Sequence, residues 1–165
     1  MKIELEAATA ADIPGLLSLR AAVNRHFASQ YGQGFWIAGL TEKGVLLSMR
    51  RATVFVARDR RGPVATLTLS TRKPWAIDTK YFSPGKRPLY LTAMEVSPEL
   101  QRQGIGRKCL QEASRIAREW PADAIRLHAY DAAAGAGEFY RKCGFRQVGR
   151  AAYRGAPPMY FEMLV

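Results

Sequence analysis

The chain has 165 residues, 48% of them hydrophobic and 24% charged, which suits one domain with a real core and excludes a disordered polar chain. No apolar run is long enough to cross a bilayer, so a membrane role is not expected. The formal charge of +11 favours anionic partners, whether nucleic acid, a polyanionic cofactor or an acidic surface. The bases are scattered, from Arg50-Arg51 through Arg58 to Arg61 and Arg72-Lys73 to Arg141-Lys142. No tail or aromatic-interleaved run concentrates them, so a solvated basic surface is expected rather than a dedicated nucleic-acid site.

Lys2 to Ala7 alternates polar and apolar residues and predicts an opening strand. Thr9, Ala10, Ala11 and Asp12 supply N-cap candidates, and Pro14 follows early in a helix, where its missing N–H costs little. Ile13, Leu16, Leu17, Leu19 and Val23 continue that helix on one face, and a second helix is expected within part of His26 to Gly44. Thr53 to Ala57 and Val64 to Leu69 flank Asp59-Arg60-Arg61-Gly62 and read as a hairpin. Arg72 to Pro88 carries Pro74, Pro84, Gly85 and Pro88 and predicts an irregular loop or a broken strand extension.

Leu89 to Val96 reads as a largely buried strand, and Leu110, Ala113, Ala117 and Trp120 mark the apolar stripe of a helix from Gly104 to Trp120, stopped by Pro121. Ile125 to Tyr130 is the next strand. Asp131 is a candidate cap for a short helix that ends at Lys142-Cys143-Gly144, with Gly144 as its C-terminal glycine. Phe145 to Arg150 and Met159 to Leu164 close the chain as two strands. The order implies an α/β fold: a mixed central sheet with helices on both faces, formed by a single domain over residues 1–165.

The chemistry concentrates where the Leu89 strand meets the next helix. Gly104 and Gly106 remove side chains at a helix start, whose first amides lack internal partners and carry the positive end of the dipole. Such a junction can seat a phosphate, or it can simply be a tight turn that needs glycine for close packing. It is neither the dinucleotide fingerprint nor the P-loop, because Gln101 and Gln103 replace glycines and no Gly-Lys-Ser/Thr follows. Cys109 and Cys143 are the only cysteines and have no metal-ligand partners at suitable spacing, so two reduced thiols and no metal are expected. The start, Met1-Lys2-Ile3-Glu4, lacks a signal-peptide pattern, and a cytoplasmic protein is expected.

Two stretches in the right order resemble the GNAT family of N-acetyltransferases: Val96-x-Pro98-x-x-Gln101-x-x-Gly104-x-Gly106, and Phe139-Tyr140-Arg141-Lys142-Cys143-Gly144-Phe145. The resemblance implies acetyl-CoA as acetyl donor. It implies that Gln101, Arg102, Gln103, Gly104, Ile105, Gly106 and Arg107 wrap the pyrophosphate, largely through backbone N–H groups. The backbone of Met94, Glu95 and Val96 would pair with the pantetheine arm as an added strand. Arg102, Arg107 and Lys108 can add charge near the phosphates.

Tyr140 falls on the family position whose phenol protonates the departing thiolate; without the motif it reads as a core aromatic beside Phe139. Many members carry an Asn that contacts the pantetheine, whereas here the aligned position is Ala133, and Asp131 is the candidate substitute or a mere cap. Glu95 is the candidate base, or else a strand-end residue in a surface ion pair; His128, Tyr130, Asp131 and an ordered water are alternatives.

The expected function is direct acetyl transfer to an amine of a small molecule or peptide, with no acyl-cysteine step. Residues 26–36 and 72–88 are expected to build the acceptor pocket, with Phe35, Trp36, Trp75, Tyr81 and Phe82 as walls or as core. Polycationic acceptors are disfavoured by the net charge. The alternatives are a non-catalytic acyl-CoA-binding module, or acetylation of a protein or ribosomal partner docked through the basic surface. A homodimer is left open.

Overall fold

Apolar and β-branched runs bounded by turn residues become strands, and the longer stretches of helical period become helices. The computed structural model describes residues 2–34, 37–152 and 155–165. Among these, seven strands form one mixed sheet in the order β1-β2-β3-β4-β5-β7-β6, accompanied by four α-helices. This is the α/β mixed-sheet class expected from the sequence. By its contacts the chain divides into two compact units, residues 1–70 with 92–113 and residues 71–91 with 114–165. Two elements, β4 (Pro88–Val96) and α3 (Ile105–Glu119), run from one unit into the other.

In the first unit, β1 (Glu6–Ala7), β2 (Thr53–Asp59) and β3 (Gly62–Ser70) pair antiparallel. The register sets Phe55 opposite Leu67 and Val56 opposite Thr66, so Val54, Val56, Thr66 and Thr68 share one face. Phe55, Ala57, Ala65, Leu67 and Leu69 share the other, and both sets are buried. A strand pair buried on both faces is covered on both. On the Val54 face, α1 (Ile13–Tyr31) and α2 (Glu42–Arg51) contribute Ile13, Leu16 and Val45 to a shared core cluster.

The entry to α1 is fixed by one carboxylate. Asp12 Oδ2 accepts from the Thr9 amide at 2.7 Å, and Arg58 on β2 grips both carboxylate oxygens, at 2.8 Å (Nε–Oδ1) and 2.7 Å (NH2–Oδ2). The Arg58 hydrogen bonds hold the Asp12 carboxyl down at about 2. The helix start is thus tied to the sheet through a bidentate pair.

In the second unit, β4 pairs parallel with β5 (Ala124–Tyr130), and β5 and β6 (Arg146–Arg150) both pair antiparallel with β7 (Pro158–Leu164). The segment 71–87 has no regular structure beyond a 3-10 turn at Thr79–Tyr81, as its prolines predict. A buried pair pins it. Arg126 Nε donates to Glu162 Oε2 at 2.8 Å, Arg126 NH2 donates to the Ser83 carbonyl at 2.7 Å, and the Ser83 amide donates to Glu162 Oε1 at 3.2 Å. The Arg126 guanidinium also lies over the Phe82 ring, 4.8 Å from its centroid. The short helix α4 (Gly137–Lys142) ends in a Schellman motif: Gly144 turns with φ +95°, Phe145 N donates to Tyr140 O at 3.0 Å, and Gly144 N donates to Arg141 O at 3.1 Å.

Four expectations are corrected. The opening strand is only Glu6–Ala7, although Ile3 and Leu5 are buried as the alternation required. The second helix lies mainly beyond Gly44, starting where Thr41 Oγ1 accepts from the Gly44 amide at 3.1 Å, while α1 runs on to Tyr31. Asp131 caps nothing, because α4 begins only at Gly137, after the small-residue run 132–136 that has weak helix propensity. Trp120 lies past the end of α3 and is 38% exposed, so the apolar stripe runs through Ile105, Cys109, Leu110, Ala113, Ile116 and Ala117.

Breaking the Arg126–Glu162 pair leaves a guanidinium buried without its counter-ion. Glu162→Ala is expected to cost about 3–5 kcal/mol of unfolding free energy in urea. Glu138→Ala, whose partners Arg141 and Lys142 are exposed, is expected to cost less than about 1 kcal/mol. Equal losses in the two variants would remove the anchoring role of the buried pair.

Candidate functional site

The first unit brings together the predicted anion turn and the end of β4. Ser97 N donates to Val64 O at 2.8 Å, which fixes the strand end against β3, and a 3-10 turn at Pro98–Leu100 follows. Gln101 is extended (φ −63°, ψ 157°), and its Nε2 donates to the Val96 carbonyl at 3.2 Å, joining the turn to the strand it leaves. Gln103 Nε2 donates to the Glu99 carbonyl at 2.9 Å. The chain then reaches α3 through two left-handed residues, Arg102 (φ +60°) and Gly104 (φ +80°). Nothing lies within 4 Å of where a Gly104 Cβ would stand, so glycine is there for its backbone conformation and not for packing.

Arg102 and Arg107 are exposed, whereas the Ile105 side chain is buried at 4% exposure, so Ile105 can serve a ligand only through its backbone. Left-handed geometry costs an arginine about 1–2 kcal/mol, and the surrounding hydrogen bonds hold it there. These residues fit a phosphate-bearing group: a turn of exposed backbone and flanking cations ahead of a helix start.

A third left-handed residue, Ala93 (φ +49°), lies within β4 just before Met94, Glu95 and Val96. Nothing in the sequence announces it, since alanine carries no preference for that region. Glu95 is in an ion pair, but not a surface one. Its side chain is 9% exposed and pairs with Arg20 of α1, itself 18% exposed. Desolvation pushes the Glu95 carboxyl above the usual carboxylate range, and the Arg20 charge only partly opposes this. Arg20 was not singled out in the sequence, and no local pattern could have found it.

In the second unit Tyr140 is 7% exposed, with its ring centroid 5.3 Å from Phe139, 5.6 Å from Phe145 and 6.0 Å from Phe161. Burial pushes its phenol well above the ordinary tyrosine range, so it stays protonated at any physiological pH. Asp131 is exposed after β5 and accepts from Arg150 at 3.0 Å (Nε) and 2.8 Å (NH2). His128 is held neutral by burial, packs edge-on to Tyr130 at 5.7 Å, and has a buried Nδ1 without a hydrogen-bond partner among the described residues.

A cleft of about 400 Å³ in this unit is lined by Lys73, Trp75, Ile77, Tyr130 and Tyr160, among others. Of the expected acceptor walls, Trp75 lines it and is 80% exposed, Tyr81 packs on Tyr160 at 5.3 Å, and Phe82 is core. Phe35 and Trp36 lie outside the described residues. Among the described residues no helix is long and apolar enough to cross a membrane, and no cluster of three or more His, Cys, Asp or Glu could hold a metal.

Residues 19–145 match the acetyltransferase (GNAT) family. The chain belongs to that family. No curated protein matches it. Among solved structures it is similar to the PaiA N-acetyltransferase of Thermoplasma acidophilum in complex with coenzyme A, at 18% identity, covering 100% of each chain with a TM-score of 0.74. A GNAT-family acetyltransferase of Listeria monocytogenes 4b F2365 gives a TM-score of 0.75 at 14% identity over 99% of this chain and 95% of that one. The ribosomal-protein-S18-alanine N-acetyltransferase of Escherichia coli gives 0.71 at 14% identity, over 99% and 94%. Likeness at these identities speaks for the fold.

Cys109 is not placed as an activated nucleophile. Burial pushes the Cys109 thiol up to about 11, so it carries almost no thiolate at neutral pH. Alkylation of the native protein at pH 8, read by mass spectrometry, is expected to label half-buried Cys143 and to spare Cys109 until the chain is unfolded.

Proposed function

We propose that the chain is a cytoplasmic acetyl-CoA-dependent N-acetyltransferase that passes the acetyl group directly to an amine of a small molecule or peptide. The observation that carries this reading is the turn from Gln101 to Arg107. It has left-handed residues at Arg102 and Gly104, opens α3, and is bonded back to the end of β4. Acetyl-CoA, when bound, supplies an acyl group activated as a thioester. The amides at the start of α3 would hold its pyrophosphate, with Arg102 and Arg107 adding charge, and the Met94–Val96 backbone would receive the pantetheine arm.

An amine acceptor arrives protonated, so a base has to free its lone pair. Glu95 suits that role, because a carboxylate short of solvent takes up a proton more readily than one in water. Tyr140, held protonated, would donate to the leaving thiolate, whose own proton affinity rises in a dry surrounding. His128, neutral and lacking a partner at Nδ1, is the alternative base. Asp131 would replace the amide contact to the pantetheine that other members make, at the expense of its pair with Arg150.

Thiol release from acetyl-CoA across amino acids, peptides, polyamines and aminoglycosides tests the activity. Binding of acetyl-CoA with no release for any amine would favour the non-catalytic module. Gly104→Glu is expected to abolish acetyl-CoA binding in calorimetry while the chain still folds, its melting temperature falling by no more than about 8 °C for the left-handed glutamate; retained binding would overturn the anion seat. Tyr140→Phe is expected to lower kcat by about 10²-fold or more with the acetyl-CoA Kd little changed. An unchanged kcat would remove Tyr140 as the acid.

A further inference from the structure

Arg20 joins three pieces of the first unit. It stands on the buried side of α1, its NH2 pairs with Oε1 of Glu95 at the end of β4, and its NH1 donates to the carbonyl of Ala38 at 3.4 Å. Asn24, one turn further along α1, donates to the same Ala38 carbonyl at 2.9 Å, so the segment before α2 is tied to α1 twice. Arg20 Nε is buried and has no partner among the described residues. A guanidinium has five N–H donors, and a merely structural arginine in the interior is normally bonded through its whole fork. This one spends a single arm on the carboxylate and leaves a buried donor unmatched, which costs stability instead of adding it.

The pair borders a pocket of about 50 Å³ that also takes in Ala93, the left-handed residue of β4. The other walls carry no charge. Val45 and Ser48 come from α2, Val54 from β2, and Thr66 and Thr68 from β3. Ser48 Oγ donates to Gly44 O at 3.0 Å and Thr66 Oγ1 to Phe55 O at 2.8 Å, so neither hydroxyl proton is spent on Glu95. Among the described residues lining this pocket, Arg20 is therefore the sole charged group facing Glu95.

We propose that Arg20 is the positioning residue of Glu95: its guanidinium aims the carboxylate into the pocket and favours its charged form against burial until a protonated amine takes the place of that cation. The inference rests on the reading of Glu95 as the base. It follows from what each group would do alone. Without Arg20, burial would push the carboxylate further toward its neutral form, and a neutral acid cannot accept a proton. A carboxylate locked in a full bidentate grip would be ionised but would be a poor base. The one-armed pair lies between these limits, holding the charge while leaving the contact exchangeable. The acceptor ammonium offers the same charge and exchanges with the guanidinium without leaving Glu95 unpaired.

The test uses the full-length chain with carbon-13-labelled glutamate, the Glu95 carboxyl signal being assigned by its loss in Glu95→Gln. In Arg20→Met the midpoint of that signal is expected to rise by about one pH unit or more, the effect of withdrawing a close opposite charge, and Arg20→Lys is expected to restore most of it. The acidic limb of kcat/KM for thiol release is expected to move in parallel, while the acetyl-CoA Kd stays that of the parent. An unchanged midpoint in Arg20→Met, whatever its rate, would overturn the proposal, since withdrawing a close opposite charge has to move it. Should Arg20→Met not fold, Arg20→Gln, which keeps a donor for Ala38 without the charge, is read the same way. If Glu95→Gln retains the acidic limb, the base reading itself falls; that failure is distinguishable, because the nuclear resonance midpoint still moves in the Arg20 variant.

Discussion

Glu162 and Arg126 decide where the irregular segment 71–87 lies, and through it the walls of the cleft around Trp75 and Tyr130. A segment with no ladder of its own must satisfy its backbone groups elsewhere. Here Ser83 does so twice, donating to the carboxylate and accepting from the guanidinium. A carboxylate can leave water only with a cation and hydrogen bonds to replace the hydration it loses. The same requirement recurs at Asp12 with Arg58 and at Glu95 with Arg20. Each of these pairs joins elements far apart in sequence. They fix geometry more than they add net stability, because desolvation offsets most of the attraction.

Strain is concentrated in the same part of the first unit. Ala93 and Arg102 are the described non-glycine residues with positive φ, and they bracket the Met94–Gln101 stretch where β4 ends and the anion turn begins. Such conformations persist where neighbouring contacts over-determine the backbone. Here those contacts are Ser97 to Val64 and Gln101 to Val96. The backbone amides of this stretch are therefore held in place by the fold itself, which would lower the ordering cost of the acetyl-CoA binding proposed there.

The parts of this fold that were legible are those written in local chemistry. The hairpin follows from Asp59-Arg60-Arg61-Gly62 between two β-prone runs, and the end of α4 from Gly144, whose φ of +95° an L side chain would resist. The turn into α3 was readable because glycine and helix period coincide there. What failed lacked such signals. Asp131 looked like a cap because aspartate often is one, yet its carboxylate goes to Arg150 and the alanine-glycine run after it stays out of the helix. The left-handed Ala93 has no compositional mark. Arg20 meets Glu95 only through the packing of α1 on the sheet, and one sequence read locally cannot show that pairing. Even the expected ion pair at Glu95 was placed in solvent rather than in the interior.

The two compact units are interleaved along the chain: neither is a continuous stretch of sequence, and the peptide bonds Ser70–Thr71 at the end of β3, Leu91–Thr92 in β4 and Ala113–Ser114 in α3 carry the chain from one to the other. During synthesis the first unit cannot close until residue 113 has emerged, by which time the first part of the second, 71–91, is already exposed and waiting for its later partners. Folding order is thus constrained by connectivity as much as by core strength. Cutting the gene at the boundary of either unit would yield two fragments with incomplete cores, not two small domains, and the segment awaiting β5 would present unpaired strand backbone to any neighbouring chain.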